Sequence, residues 1–223
     1  MIDYLFKNYD EMLTLLLQHL QIVSLSILIS ILIAIPVALF ILKSRVLSMV
    51  VLSSLGIIYS IPSLALFALL IPILGLGKGT AIFVLVIYNQ YILVRNIFAA
   101  FESIDPSIIE AGKGMGFNAT QLFLKVQLPL ALPIILGGVR IATVTTIGIA
   151  TIASVINAGG LGVILFDGLR MDYLPKILWG TIMAAGLAIV ANQILVYFEK
   201  LASFKANGQS EVNSIGVKIK NKQ

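Results

Sequence analysis

Long stretches without a charged residue alternate with short polar segments along this chain. A membrane-spanning helix needs about 20 mostly apolar residues, and most of the charge-free stretches meet that length. The third does so by continuing past Arg95 to Phe101, and the fourth also extends back over Arg140 to Leu130. The pattern therefore predicts an all-α membrane protein with about five transmembrane helices. The charge-free stretches are Leu20–Leu42, Val46–Gly77, Gly79–Val94, Ile141–Phe166 and Ile177–Phe198.

The second charge-free stretch is too long for one straight helix. It contains Gly56, Pro62 and Pro72, and an internal proline removes a helical hydrogen bond and clashes with the preceding turn. We expect one broken helix with a re-entrant or loop piece. If the stretch instead splits into two spans, the total becomes six.

Composition supports a membrane protein. Of the 223 residues, 59% are hydrophobic and 11% are charged, and the mean hydropathy is +1.05, whereas soluble proteins average about 45–50% apolar and about 25% charged residues. This excludes a secreted domain or a cytosolic enzyme. The absence of cysteine excludes disulfides and thiolate metal sites, and the lone His19 argues against a histidine-rich metal site. We expect no cleavable signal and no fused ATPase or ligand-binding domain.

Basic residues divide unequally between the two sides of the five predicted spans, and cytoplasmic loops carry the excess. The split predicts an external N-terminus and a cytoplasmic C-terminus. The predicted parts are an external arm at 1–19, a transmembrane domain at 20–198, and a polar cytoplasmic tail at 199–223 that is disordered. The richer side holds Lys43, Arg45, Arg95, Lys113, Lys125, Lys200, Lys205, Lys218, Lys220 and Lys222, and the poorer side holds Lys7, Lys78, Arg170 and Lys176.

The cytoplasmic loop at 102–129 is far longer than a simple connection between helices needs. Asp105-Pro106 predicts a helix start, and the glycines up to Gly116 predict its end. Asn118 and Gln121 predict a capping box for a second, amphipathic helix, which we expect Pro129 and Pro133 to end. This pair of helices either rests on lipid or docks a soluble partner.

The residues of this loop resemble the EAA signature of ABC importer permeases. Glu110-Ala111-Gly112, Gly116 and Val126-Gln127-Leu128-Pro129 match its spacing, with Gly112 at the position of the second alanine and Val126 at that of isoleucine. The resemblance implies the type I ABC importer permease fold, with this loop as the coupling helix that docks on a cytoplasmic ATPase subunit. The coupling residues that it implies are Glu110, Ala111, Gly112, Gly116, Phe117, Leu122, Leu128 and Pro129.

Two further segments resemble permeases for glycine betaine, carnitine, choline and related osmoprotectants. They are Ile61–Pro72 and the stretch from Ala158 to Leu169. The resemblance implies a permease subunit in the bacterial cytoplasmic membrane. It implies ATP-binding subunits, a second permease copy or a homologous permease, and a substrate-binding protein or lipoprotein as partners, besides membrane lipid. Nucleic acid is not expected as a partner.

ATP binding by this chain is not expected. Gly77-Lys78-Gly79 and Gly112-Lys113-Gly114 lack the earlier glycine and the serine or threonine that a phosphate-binding loop requires after its lysine. We therefore expect no cofactor or metal and no catalytic residue in this chain, with ATP and Mg²⁺ on the partner ATPase. An ion-coupled secondary transporter or small channel remains the alternative, although the charge-free stretches offer no carboxylate for proton coupling.

Polar residues of the predicted spans each have two interpretations. Arg140 either snorkels to the cytoplasmic interface or contacts a gate. Tyr88, Tyr91 and Trp179 either belong to packing or interface aromatics or hold a quaternary ammonium by cation–π attraction. A small and polar stripe either packs helices, with hydroxyls bonded to their own backbone, or lines the transport path. The stripe consists of Thr143, Thr146, Ala150, Ser154 and Asn157.

The predicted outer loop carries glycines followed by charges. Glycines allow close backbone approach, and exposed charges can pair with a docked protein. These residues either dock the substrate-binding protein, or the charges only solvate a loop. They are Gly159, Gly160, Gly162, Asp167 and Arg170.

Overall fold

The computed structural model describes the backbone of residues 2–220 and the side chains of 3–204, and all of its regular elements in that range are helical. In this range there are nine α-helices, together with a π-helical segment at Phe123–Gln127 and a 3₁₀ segment at Ala153–Ile156. The α-helices are α1 (Ile2–Ile41), α2 (Arg45–Tyr59), α3 (Ser63–Leu74), α4 (Lys78–Glu102), α5 (Pro106–Gly114), α6 (Ala119–Leu122), α7 (Leu128–Ile152), α8 (Gly162–Arg170) and α9 (Leu174–Lys220).

Four helical segments in the described range are long and apolar enough to cross a membrane, and a bent pair supplies a fifth. The pair is α2 and α3, whose axes differ by 92°. The predicted total of five spans and the predicted break in the second stretch are both confirmed. The four continuous segments are Asp3–Ile41, Lys78–Glu102, Ala119–Ile156 and Leu174–Phe204.

The N-terminal segment differs from the predicted arm because its described residues are helical and continuous with the first span. The helix departs from regular geometry only at Asn8, with φ −125° and ψ 17°. Met12 and Leu15 are buried in a cluster with Leu161, which directly precedes α8, and Ile164 of α8. Burial of this apolar face explains why the helix persists through a charged segment. Its external location stays a prediction.

The core lies where α1, α4 and α7 pack together. Its larger cluster includes Ile22, Phe67, Leu85 and Ile147, all nearly inaccessible to solvent. A second cluster joins the other halves of the same three helices. α9 packs along α7 and α8, so the last span is added to one side of this three-helix core.

One predicted boundary and the side assigned to one basic residue need correction. The fourth span ends at Ile156 rather than Phe166, because Asn157 (φ 65°) and the glycines after it have left-handed backbone, and α8 follows. Arg95, which was counted with the cytoplasmic loops, lies within α4.

α9 continues beyond the last predicted span as far as Lys220. Side chains after Phe204 lie outside the described residues, and so does the structure of 221–223. The predicted disorder of the tail at 199–223 therefore stays a prediction.

Candidate functional site

The loop between α4 and α7 begins with the predicted cap. The side chain of Asp105 accepts a hydrogen bond from the backbone N–H of Ser107 at 2.8 Å, with Pro106 at the first helical position. That backbone hydrogen bond lowers the pKa of the Asp105 carboxyl. Because the folded pKa lies below the unfolded one, the cap stabilises α5 above the unfolded pKa and is lost as the pH falls through the folded pKa.

A glycine turn ends α5. Gly116 has φ +81°, its N–H donates to the carbonyl of Lys113 at 2.9 Å, and the N–H of Phe117 donates to the carbonyl of Gly112 at 3.2 Å. These two bonds form a Schellman motif with glycine at the left-handed position. The predicted unusual backbone at Gly116 is confirmed.

A capping box starts the second helix, as predicted. Asn118 Oδ1 accepts from the N–H of Gln121 at 2.9 Å, and Gln121 Oε1 accepts from the N–H of Asn118 at 3.0 Å. Leu122 is buried and fills the space beside Gly112, where a Cβ atom would lie 2.6 Å from Leu122 Cδ1. The residue that departs from the EAA pattern thus makes room for the second helix.

The second helix does not end at the prolines, which corrects the prediction. It continues through the π-helical segment into α7, so that one helical run extends from Ala119 to Ile156. Pro129 lies in the first turn of α7, where a missing N–H costs little because a wider turn precedes it. The loop is therefore continuous with a helical segment that is long and apolar enough to span a membrane.

The outer face of the loop carries an apolar groove of about 300 Å³. Of its lining residues, Met115 and Ile108 are 68% and 40% exposed, and Leu124, which does not line the groove, is 54% exposed. Exposed apolar surface of this kind is typical of an interaction site. No contact role was predicted for these three side chains. The signal that could have indicated one is their spacing on short capped helices. The groove is lined by Ser107, Ile108, Ala111, Gly112, Met115 and Val126.

The predicted coupling residues divide into three groups by exposure. Glu110, Ala111 and Gly116 are exposed, whereas Gly112 and Leu122 are buried and the other three are half-buried. Glu110 has no ion pair with any residue whose side chain is described, and Lys125 Nζ lies 5.8 Å from the ring centroid of Phe117. The half-buried members are Phe117, Leu128 and Pro129.

Arg140 pairs with a carboxylate of α9, and its location at the interface or at a gate stays a prediction. Its Nε donates to Glu199 Oε2 at 2.9 Å, and its Nη1 lies 3.4 Å from Asn192 Oδ1. Gly137 lies beside this carboxylate, at a distance where a Cβ would make only ordinary van der Waals contact, 3.6 Å from Glu199 Oε1. The ion pair joins α7 to α9.

The polar stripe of α7 is explained mainly by helix packing. Thr143 and Thr146 donate to the carbonyls of Val139 and Ala142 within their own helix. Thr146 is buried and also bonds to Asn89 Oδ1 of α4 at 3.0 Å. The remaining stripe residues do not form one exposed polar surface: Ala150 is buried, Ser154 bonds to the Thr151 carbonyl, and only Asn157 is exposed.

The outer glycines pack against the chain itself. Gly159 and Gly160 both have φ +81°. The N–H of Gly160 donates to Gln18 Oε1 at 3.2 Å, and the N–H of Leu161 lies 3.3 Å from His19 Nδ1. Sequence reasoning gave Gln18 and His19 no such role. The glycines therefore attach the start of α8 to α1, which contradicts their interpretation as an exposed docking surface.

The charges of this region remain near the surface. Asp167 lies 3.5 Å from both Arg170 Nη1 and Lys176 Nζ. Arg170 is 68% exposed, whereas Lys176 is 12% exposed. Docking of a partner at Asp167 and Arg170 stays a prediction.

The three aromatic residues singled out in the sequence do not come together. Tyr88 and Tyr91 lie on α4 and contact Tyr59 of α2. Trp179 lies on α9 and packs in the cluster that includes Met12 and Leu161. A site containing all three is excluded.

Comparisons with known proteins agree with this architecture. The family model described as "Binding-protein-dependent transport system inner membrane component" matches residues 26–204. The chain is 36% identical over 199 residues to the "Osmoprotectant import permease protein OsmW" of Salmonella typhimurium, covering 87% of this chain and 93% of that protein. It is 33% identical over 214 residues to the "Glycine betaine/carnitine/choline transport system permease protein OpuCB" of Bacillus subtilis, covering 96% of this chain and 99% of that protein.

Solved structures share the fold. A chain of the MetNI methionine ABC transporter matches with a TM-score of 0.75 at 23% identity, covering 83% of this chain and 93% of that chain. A chain of an amino acid ABC transporter matches with a TM-score of 0.73 at 18% identity, covering 88% of this chain and 96% of that chain. The helical architecture, the family match over most of the chain and these neighbours together show that the chain belongs to the binding-protein-dependent transport system inner membrane components and has the type I ABC importer permease fold.

Proposed function

We propose that this chain is a transmembrane permease subunit of an ATP-driven importer for a quaternary ammonium osmoprotectant such as glycine betaine, carnitine or choline. The observation that carries the proposal is the capped loop with an exposed apolar groove that continues directly into α7. The names of the two relatives supply the substrate class. In this role the chain performs no covalent chemistry.

The loop docks on an ATP-binding subunit, which holds ATP and Mg²⁺. Its exposed apolar side chains fill a complementary cleft, and Glu110 pairs with a cation of the ATPase. Closure of the ATPase subunits on ATP then moves the loop. Because α6, the π-helical segment and α7 form one helical run, this movement tilts the span and alternates access to the path.

Other surfaces fit the remaining partners. Ile182, Ile189 and Ile194 of α9 are about half exposed or more, as expected for a surface against lipid or a second permease. The external end, with Asp167 and Arg170, receives a substrate-binding protein. The assembly lies in a bacterial cytoplasmic membrane, with the N-terminus outside and the C-terminus in the cytoplasm.

Orientation is tested by cysteine labelling, which the cysteine-free chain favours. Lys78→Cys is at the first residue of α4, on the proposed outer side, and Lys113→Cys lies in the proposed cytoplasmic loop; both positions are exposed. An impermeant thiol reagent added to intact cells should label Lys78→Cys and spare Lys113→Cys, while opened vesicles should allow both to react. External labelling of Lys113→Cys in intact cells would reverse the orientation and exclude docking of this loop in the cytoplasm.

Function is tested by reconstitution into liposomes with the ATPase subunits and the substrate-binding protein. Uptake of radiolabelled glycine betaine, carnitine and choline is measured in parallel, with and without each component. We expect uptake of at least one of them to require ATP, the ATPase and the binding protein together. Uptake that persists without the ATPase and follows an imposed sodium or proton gradient would contradict the proposal in favour of a secondary transporter.

A further inference from the structure

The break between α2 and α3 lies at membrane depth. α2 begins at Arg45, and Tyr59 lies about 21 Å further along its axis at about 1.5 Å per residue, within a hydrocarbon core about 30 Å thick. Ser60, Ile61 and Pro62 are exposed at the surface of this chain. Irregular backbone at that depth is tolerated where it is covered by protein or lines a water-filled cavity, and it is not tolerated against lipid. This side of the chain therefore faces the interior of the assembly.

Three tyrosines are grouped beside the break. The ring centroids of Tyr59 and Tyr91 are 5.0 Å apart, and those of Tyr59 and Tyr88 are 5.6 Å apart. Tyr88 is buried and its hydroxyl donates to the carbonyl of Ile61, so it fixes the cluster to the break. Tyr59 and Tyr91 are half-buried and keep part of each ring at the surface.

A cation without a counter-ion completes the group. Arg95 Nη1 donates to the Tyr91 hydroxyl at 2.8 Å, and its guanidinium carbon lies 5.7 Å from the Tyr91 ring centroid. Among residues with described side chains, Arg95 has no carboxylate partner, in contrast to Arg140, which pairs with Glu199. Arg95 is exposed and lies about 10 Å before the end of α4. An ionisable side chain inside a span marks a ligand or ion pathway by default.

We propose that Tyr59, Tyr91 and Arg95 form one wall of a transport-path site for a small zwitterion that carries both a quaternary ammonium and a carboxylate. The ammonium lies against the ring faces by cation–π attraction. The carboxylate accepts charge-assisted hydrogen bonds from the guanidinium, whose planar geometry suits it. Tyr88 is a positioning residue, because its hydroxyl already donates a hydrogen bond to the Ile61 carbonyl in the break.

This site deepens the proposed function and rests on it. Glycine betaine and carnitine have both groups, whereas choline has the ammonium and a hydroxyl. Arg95 attracts the carboxylate of the first two and repels the uncompensated charge of choline. The site therefore predicts a preference for zwitterions within the permease itself, independent of any preference of the binding protein.

The test measures binding to the permease assembled with its ATPase subunits and without the binding protein. The complex is placed in nanodiscs of phosphatidylethanolamine and phosphatidylglycerol, which contain no choline headgroup. Saturation-transfer NMR of the trimethylammonium methyl protons reports binding of glycine betaine and of choline. The wild type should bind glycine betaine more tightly than choline.

Variants separate the two halves of the site. Arg95→Gln should raise the apparent Kd for glycine betaine by about tenfold or more, as expected for losing a charge-assisted hydrogen bond, and should leave the Kd for choline unchanged or lower it, because the repulsion is removed. Tyr91→Leu should weaken both ligands. Arg45→Gln and Tyr197→Leu are matched controls at an exposed arginine and an exposed tyrosine outside the site, and they should change neither.

Three results would overturn the site. They are no methyl signal from the wild-type complex, equal weakening of both ligands by Arg95→Gln, and glycine betaine binding that depends on phosphatidylglycerol rather than on Arg95, which would assign the guanidinium to lipid phosphate. ATP-dependent uptake in the reconstituted importer together with any of these results would leave the proposed function intact and remove the site alone. If the reconstituted wild-type importer shows no ATP-dependent uptake, the proposed function itself is contradicted.

Discussion

Gly162→Ala is expected to destabilise the folded chain by about 3 kcal/mol, at the upper end of what overpacking costs, or to prevent its recovery as a folded protein. A Cβ atom at Gly162 would lie far inside van der Waals contact with the backbone carbonyl oxygen of Thr151, and 2.5 Å from Ser154 Oγ. A flexible side chain could move aside, but the carbonyl belongs to α7. The start of α8 or the end of α7 would therefore have to shift.

The matched control is Gly148→Ala in α7. Gly148 is exposed, and a Cβ there would meet no atom of the described residues within 4 Å. Alanine is favoured over glycine inside a helix by about 1 kcal/mol, so this variant should be neutral or slightly stabilising. Thermal and denaturant unfolding in detergent, followed by Trp179 fluorescence, compares the two. Equal stability of both variants would show that α8 does not pack on α7 as described.

Gly162 also shows where sequence reasoning fails. The glycines of this segment were interpreted as part of a docking surface, because a glycine run before charges is compatible with an exposed loop. Their actual neighbours, Gln18, His19 and Thr151, are distant in sequence or lie across a turn. Close backbone packing is a tertiary property, and the residue types alone do not distinguish it from loop flexibility.

Local features were predictable because they depend on residues that are close together in the sequence. The Asp105 cap, the Asn118 capping box and the left-handed Gly116 each depend on residues at most a few positions apart. Their hydrogen bonds follow from helix ends that leave backbone groups unsatisfied. The spans were equally predictable, since about 20 apolar residues carry the signal by themselves.

The ion pair between Arg140 and Glu199 lies between these cases. A charged residue inside a span usually pairs with another group, but the only roles predicted for Arg140 were snorkelling and a gate contact. The choice of Glu199, at a distance of 59 residues along the chain, depends on how α9 packs on α7. The same limit applies to Arg95, whose grouping with Tyr59 and Tyr91 depends on how α2 packs on α4.

Gly116→Val is expected to reduce both substrate-stimulated ATP hydrolysis and uptake by about tenfold or more, while the spans still insert. Gly116 has φ +81°, and a Cβ there would meet nothing within 4 Å. The only obstacle to a side chain is therefore the backbone conformation, which costs about 1–2 kcal/mol for an ordinary L-residue and more for a β-branched one. Relief of that strain would break the Schellman bonds and change the angle between α5 and α6, so that the apolar groove would lose the shape that docks on the ATPase.

Gly116→Asn separates this effect from any other consequence of adding a side chain. Asparagine tolerates the left-handed region better than other residues with a Cβ, so the asparagine variant should retain most of the coupled activity. Each variant is reconstituted with the ATPase and the binding protein, after gel filtration has shown that it is folded. Glu110→Ala is measured alongside, and it should lower coupling without strain because this exposed carboxylate has no ion pair within the described part of the chain. Normal coupled hydrolysis and uptake in well-folded Gly116→Val and Glu110→Ala proteins would show that this loop does not transmit ATP-driven closure to α7.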